Sequence, residues 1–160
     1  MILYHGSNVE VRRPKLLKKQ RQLDFGAGFY TTSDLNQAVR WAKRTSWRLG
    51  EPNSVVSVYE LRDDQILDLR TLRFKIPDQG WLRFIVANRK GLPILDSWDL
   101  IIGPVANDLT ASVIDLFLDG MYDEDEAIRR LLPQKLKDQI TFKTNTAIQL
   151  LEWKEAILCE

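Results

Sequence analysis

The chain is poor in residues that make covalent or metal staples. Its one cysteine, Cys159, sits next to the C-terminal residue, which excludes an intramolecular disulfide and any cysteine-based metal cluster. Its one histidine, His5, has no acidic cluster at ligand spacing, so no metal site is expected. An excess of charge is also lacking. The 23 Lys and Arg against 22 Asp and Glu leave +1, with no overall pull toward nucleic acid or a membrane, and any electrostatic specialisation must be local. Without a long apolar run no membrane span is expected, and the opening MILYHGS is too short and too polar for a signal peptide. A reducing compartment is the default, and the cytoplasm the expected location. No repeat, low-complexity segment or linker interrupts the 160 residues, so a single domain with a real core is expected.

What the chain does have is concentrated in residues 24–41, DFGAGFYTTSDLNQAVRW. Gly26 and Gly28 allow close backbone approach, and Phe29, Tyr30, Thr31 and Thr32 follow as strand-type residues. Ser33 or Asp34 can cap a helix in which Ala38, Trp41 and Ala42 recur at helical spacing and which Gly50 can stop. A helix folded back on the strand would set Trp41 across from Tyr30, leaving a slot for a flat heteroaromatic ligand. Ordinary core packing is the other account of both rings. The Gly-x-Gly lacks the spacing of either the dinucleotide or the P-loop fingerprint.

Elsewhere, residues 2–4 read as a strand that His5-Gly6-Ser7 ends with a polar turn, where Gly6 would expose backbone groups to an amide-bearing ligand. Residues 11–22 hold Arg12, Arg13, Lys15, Lys18, Lys19 and Arg21 with no acidic residue. They read as a solvated loop or as a basic flap over a polyanion. Strands are expected at 54–61, 66–69, 99–105, 139–143 and 155–158, and helices at 77–89, 111–118, 123–131 and 146–153. Trp81, Phe84, Ile85 and Asn88 share one helix face, mostly as core. Asn88-Arg89 and Asn107-Asp108 read either as helix-end residues or as groups reaching a cleft. Strands mixed irregularly with helices suggest an α+β domain.

Tyr4-His5-Gly6-Ser7, then Phe25-Gly26-Ala27-Gly28-Phe29-Tyr30, then an aromatic on the next helix resembles the ordered pattern of ADP-ribosyltransferases of the poly(ADP-ribose) polymerase type. The resemblance implies a split β-sheet with NAD in the cleft between its halves. His5 and Gly6 would hold the nicotinamide ribose and amide, Tyr30 would stack on the nicotinamide ring, and Trp41 would close the other face. Ser7 and Gly28 fall within the same two motifs. The family's catalytic Glu on a late strand matches the 138–142 segment, but Gln139 stands at its position. The chain as a whole also resembles a bacterial domain family of uncharacterised function, often encoded beside small partner proteins as in toxin–antitoxin pairs. Trp81, Asn88-Arg89, Gly103-Pro104-Val105, Asn107-Asp108 and residues 139–144 belong to that pattern.

These resemblances imply a mono-ADP-ribosyltransferase using NAD as donor, with His5, Tyr30 and Gln139 as the catalytic set. The acceptor would be a protein or a nucleic acid, and a small antitoxin a partner. A glutamine can orient a ribose hydroxyl but supplies neither full negative charge nor a base, which disfavours elongation of a polymer. The alternatives are a non-catalytic module binding NAD or ADP-ribose, and a transferase whose basic 12–21 segment contacts nucleic acid.

Overall fold

A computed structural model describes residues 1–17, 23–94, 96–106 and 108–160. Among the described residues seven strands form two sheets. β1 (Ile2–Ser7), β3 (Ser54–Glu60) and β7 (Glu152–Cys159) make an antiparallel sheet in the order β1-β3-β7. β2 (Phe29–Thr31), β4 (Thr71–Arg73), β5 (Leu100–Pro104) and β6 (Asp138–Phe142) make the other, in the order β2-β6-β5-β4, with only β4 and β5 parallel. One isolated bridge, Tyr4 to Thr32, joins the sheets, and beyond it β1 and β2 diverge.

Side-chain alternation sorts the layers. From β5, Leu100 and Ile102 enter the core between the sheets with Leu3, Phe29, Tyr59, Leu61 and Phe142. Ile101 points the other way, into a core with Trp81, Leu82, Ile85, Ile114 and Leu131 under α2 (Gln79–Arg89), α3 (Asp108–Leu118) and α4 (Glu124–Leu131). The outer face of the first sheet is covered by α1 (Leu35–Leu49), through Ala38 and Ala42 on Val56. Asp34 caps α1 by accepting from the Gln37 amide at 2.7 Å, and Gly50 closes it with φ 68°. Both ends carry the residues that helix termini require. This is the mixed α+β organisation the sequence suggests.

Three local expectations need correction, and one strand was not expected at all. His5, Gly6 and Ser7 continue β1, since β3 offers them Ser57, Val56 and Val55 as partners. Residues 66–69 are not a strand. They lie in or end a 3-10 helix (Asp63–Asp68), where Ile66 and Leu69, three apart, both pack on the core. The late helix is one turn, α5 (Asn145–Ile148), after which the chain returns to strand early enough for Trp153 to pair with Tyr59. The short β4 has no alternating pattern that would have marked it. Among the described residues no helix is long and apolar enough to cross a membrane, and no group of three His, Cys, Asp or Glu is placed to hold a metal ion.

Candidate functional site

A cavity of about 980 Å³ opens where β1 parts from β2, at the upper end of the range for small-molecule sites. His5, Gly6, Ser7, Gly28, Tyr30, Trp41 and Gln139 all line it. They come from four elements and the loop before β2, spread over 134 positions, so their convergence is a property of the fold.

His5 leaves β1 toward the second sheet, stacks on Phe29 with centroids 4.3 Å apart, and donates from Nδ1 to the Tyr30 carbonyl at 2.7 Å. That bond fixes the tautomer, leaving Nε2 as an acceptor. Burial pushes the imidazole pKa below 6.5, partly opposed by the bond to Tyr30, so the ring is neutral at physiological pH.

Gly6 is where packing and an open strand edge meet. A Cβ there would lie 2.0 Å from the Ala38 carbonyl oxygen and 2.7 Å from the Ala42 nitrogen, so α1 can sit on β1 only because that atom is missing. Tyr4 exchanges both backbone hydrogen bonds with Thr32, and period-two alternation turns the Gly6 amide and carbonyl to that same edge, where β2 has already diverged. Gly28 is likewise tight: a Cβ would come within 2.6 Å of Thr141 Cγ2 and 2.9 Å of the Phe142 oxygen. The missing side chain at Gly28 makes room for β6.

Tyr30 is held by its hydroxyl, which donates to the Gly26 carbonyl at 2.5 Å and accepts from the Phe25 amide at 3.0 Å. Burial, with Asp24 nearby, raises its pKa. The hydroxyl is therefore committed to the 25–26 turn, and the ring both packs against the core under α2 and borders the cavity. Lys143, whose burial brings its pKa down to about 8, ties the same turn by donating to the Phe25 carbonyl at 2.5 Å. Asn88 donates to the Asp24 carbonyl at 3.1 Å and Arg89 pairs with the Asp24 carboxylate at 2.7 Å. The 88–89 pair thus braces the turn, and Arg89 also reaches the cavity.

Tyr30 faces Thr141 across the β2–β6 ladder, so Gln139, two residues earlier, projects from the same face as its diagonal neighbour. Gln139 is only 3% exposed, and its Nε2 has no hydrogen-bond partner among the described residues. A buried donor left unpaired costs about 1–3 kcal/mol. Trp41 borders the cavity from α1, and neither Tyr30 nor Trp41 stacks on another ring among the described residues.

Cations crowd the same opening. Arg13 and Lys15 line it from the segment after β1, Arg44 and Arg48 from α1, with Asp24 the acidic residue there. Arg12 does not join them. It packs over the Trp153 ring at 4.7 Å and pairs with Glu10, while Val11 is pinned to Ser57 and Tyr59. Lys18, Lys19, Arg21 and Asn107 lie outside the described residues. Arg44, Thr45 and Arg48 went unread as site residues, although with Trp41 they occupy positions i, i+3, i+4 and i+7 of one helix, which places them on one face.

Residues 1–153 match the family described as "Protein of unknown function (DUF3990)", and the chain belongs to that family. No curated protein and no solved structure matches it.

Proposed function

We propose that this chain is a mono-ADP-ribosyltransferase that takes NAD as donor, on a split-sheet fold with NAD in the cleft. The observation that carries the reading is the meeting of His5, Tyr30 and Gln139 in one cavity, with the buried Nε2 of Gln139 unpaired among the described residues. Each residue suits a step. The Tyr30 face and Trp41 bound a slot for the nicotinamide ring. The unpaired Gly6 edge offers an amide and a carbonyl to the carboxamide, and His5 Nε2 accepts a ribose hydroxyl. Arg13, Lys15, Arg44 and Arg48 suit the pyrophosphate.

Transfer breaks the bond between ribose C1′ and the nicotinamide nitrogen, whose electron pair leaves with nicotinamide as positive charge develops on the ribose. Gln139, as a neutral dipole, orients a ribose hydroxyl and stabilises that charge weakly. It takes no proton, so the acceptor must be nucleophilic unaided and its proton passes to solvent. Asp24 is no substitute, since Arg89 holds its carboxylate. One transfer per acceptor follows, rather than polymer growth. A toxin role would be controlled by a small protein covering the cleft.

A non-catalytic NAD or ADP-ribose module is the second reading, favoured by the amide at position 139. Calorimetry with NAD and release of nicotinamide from labelled NAD in cell extract separate the two. As a transferase, Gln139→Ala should lower turnover on the order of a hundredfold, by analogy with loss of one oxyanion-hole donor, while NAD affinity changes less. Binding without turnover in the parent, with hydrolysis appearing only in Gln139→Glu, would favour the module. NAD binding that survives both Tyr30→Ala and Trp41→Ala in folded protein would remove the site altogether.

A further inference from the structure

The near-neutral net charge hides a segregation. Residues 1–50 hold ten Lys and Arg against three Asp and Glu, a balance of +7, and the remainder of the chain carries −6. On the solvent side of α1, Arg40, Lys43, Arg44 and Trp47 stand at i, i+3, i+4 and i+7, one continuous stripe, with Arg48 beside it. The helix contains no acidic residue. Arg40, Lys43 and Arg48 form no ion pair with a described carboxylate; among the described residues Arg40 bonds to the Gln37 side chain, and its charge helps lower the Asp34 carboxyl pKa. Trp47 is 85% exposed in the last turn, whose backbone the Gly50 amide closes by donating to the Trp47 carbonyl at 3.2 Å. Tryptophan is a highly buried residue type on average, so one held outward within a row of cations needs a reason.

A protein interface also takes Trp and Arg, but its buried centre is depleted in charge overall, and here cations flank the one ring on the turns around it. A row of cations with an aromatic platform among them is what a single strand of nucleic acid requires, the cations for its backbone and the ring for a base. The stripe also leads somewhere, because Arg44 belongs both to it and to the cavity wall, and Arg48 lines the same opening.

We propose that the outer face of α1 binds single-stranded nucleic acid, with Trp47 stacked on a base, and delivers it to the cavity mouth as the acceptor. The acceptor role rests on the transferase reading, whereas the binding does not. The test uses fluorescein-labelled single-stranded DNA and RNA of about 16 nucleotides, followed by anisotropy in the absence of NAD. The parent should bind, with affinity falling steeply with salt. Trp47→Ala, an exposed change whose fold is checked by circular dichroism, should weaken binding about tenfold or more. The pair Arg40→Glu and Lys43→Glu should reduce the slope of log affinity on log salt by about 0.7 for each phosphate that is no longer neutralised. No saturable binding by the parent at about 50 mM salt, or affinities that ignore both sets of substitutions, would overturn the proposal. So would polyglutamate displacing the oligonucleotide at equal charge and depending on Trp47 as strongly, which would point to an acidic protein instead. Since no NAD is present, failure here leaves the donor reading standing, and failure of NAD to bind leaves this measurement intact.

Discussion

Replacing Gly6 by alanine separates packing from ligand binding at the residue where both meet. The new methyl would lie 2.0 Å from the Ala38 oxygen, against 3.4–4 Å for an ordinary contact, so α1 must retreat from β1 by about 1.4 Å. Both nearest atoms belong to helix backbone, which cannot rotate away as a side chain tip would. Overpacking typically costs about 1–3 kcal/mol, and a backbone clash belongs at the upper end, about 3 kcal/mol. For a chain of this length that lowers the melting temperature by roughly 6–12 °C. Trp41, Arg44 and Arg48 ride on the displaced helix, so NAD affinity should fall with stability. Gly50→Ala is the control at the far end of α1. It meets nothing within 4 Å, and only its φ of 68° is strained, a cost of about 1–2 kcal/mol. Scanning calorimetry with and without NAD reads both variants. Weaker NAD binding by Gly6→Ala with an unchanged melting temperature would refute the packing argument and leave Gly6 a ligand contact alone.

Two further outcomes follow from the site. Tyr30→Phe keeps the ring and removes the hydroxyl shared by the Phe25 amide and the Gly26 carbonyl, so urea unfolding should show a loss of about 1–3 kcal/mol while NAD affinity falls less than in Tyr30→Ala. His5 gives a pH dependence: its folded pKa is depressed below 6.5, so the unfolded chain binds the proton first as pH falls. Its contribution to stability is intact above about pH 6.5 and is lost below it, toward the folded pKa. His5→Asn retains a donor for the Tyr30 carbonyl without titrating and should flatten the stability profile between about pH 6.5 and 5, above the range of ordinary carboxylates. A profile of the same slope in the variant would assign the effect to other groups.

The parts of this protein that depend on neighbours in sequence were legible in the amino-acid sequence itself. Asp34 and Gly50 mark α1 because helix ends need a side-chain acceptor and a left-handed residue, and the runs at 54–61 and 99–105 read as the strands that the structure shows. The resemblance rests on the order of His5, Tyr30 and Gln139 along the chain, and the structure brings the three to one cavity. The tertiary structure decided what depends on residues far apart. Gly6 proved to be a packing position because Ala38 presses against it from another element, and the Tyr30 hydroxyl proved to be tied to the 25–26 turn. Residues 66–69 and 146–153 were misread because their short apolar patterns fit more than one period, and the choice was made by Tyr59 and the core between the sheets. Arg13 and Lys15 belong to the basic 12–21 segment that the sequence marks, and Arg44 and Arg48 to one face of α1, but their meeting around one opening has no local signature. A near-zero net charge concealed it, because charge adds over the chain whereas a ligand meets only the charges that the fold brings to its surface.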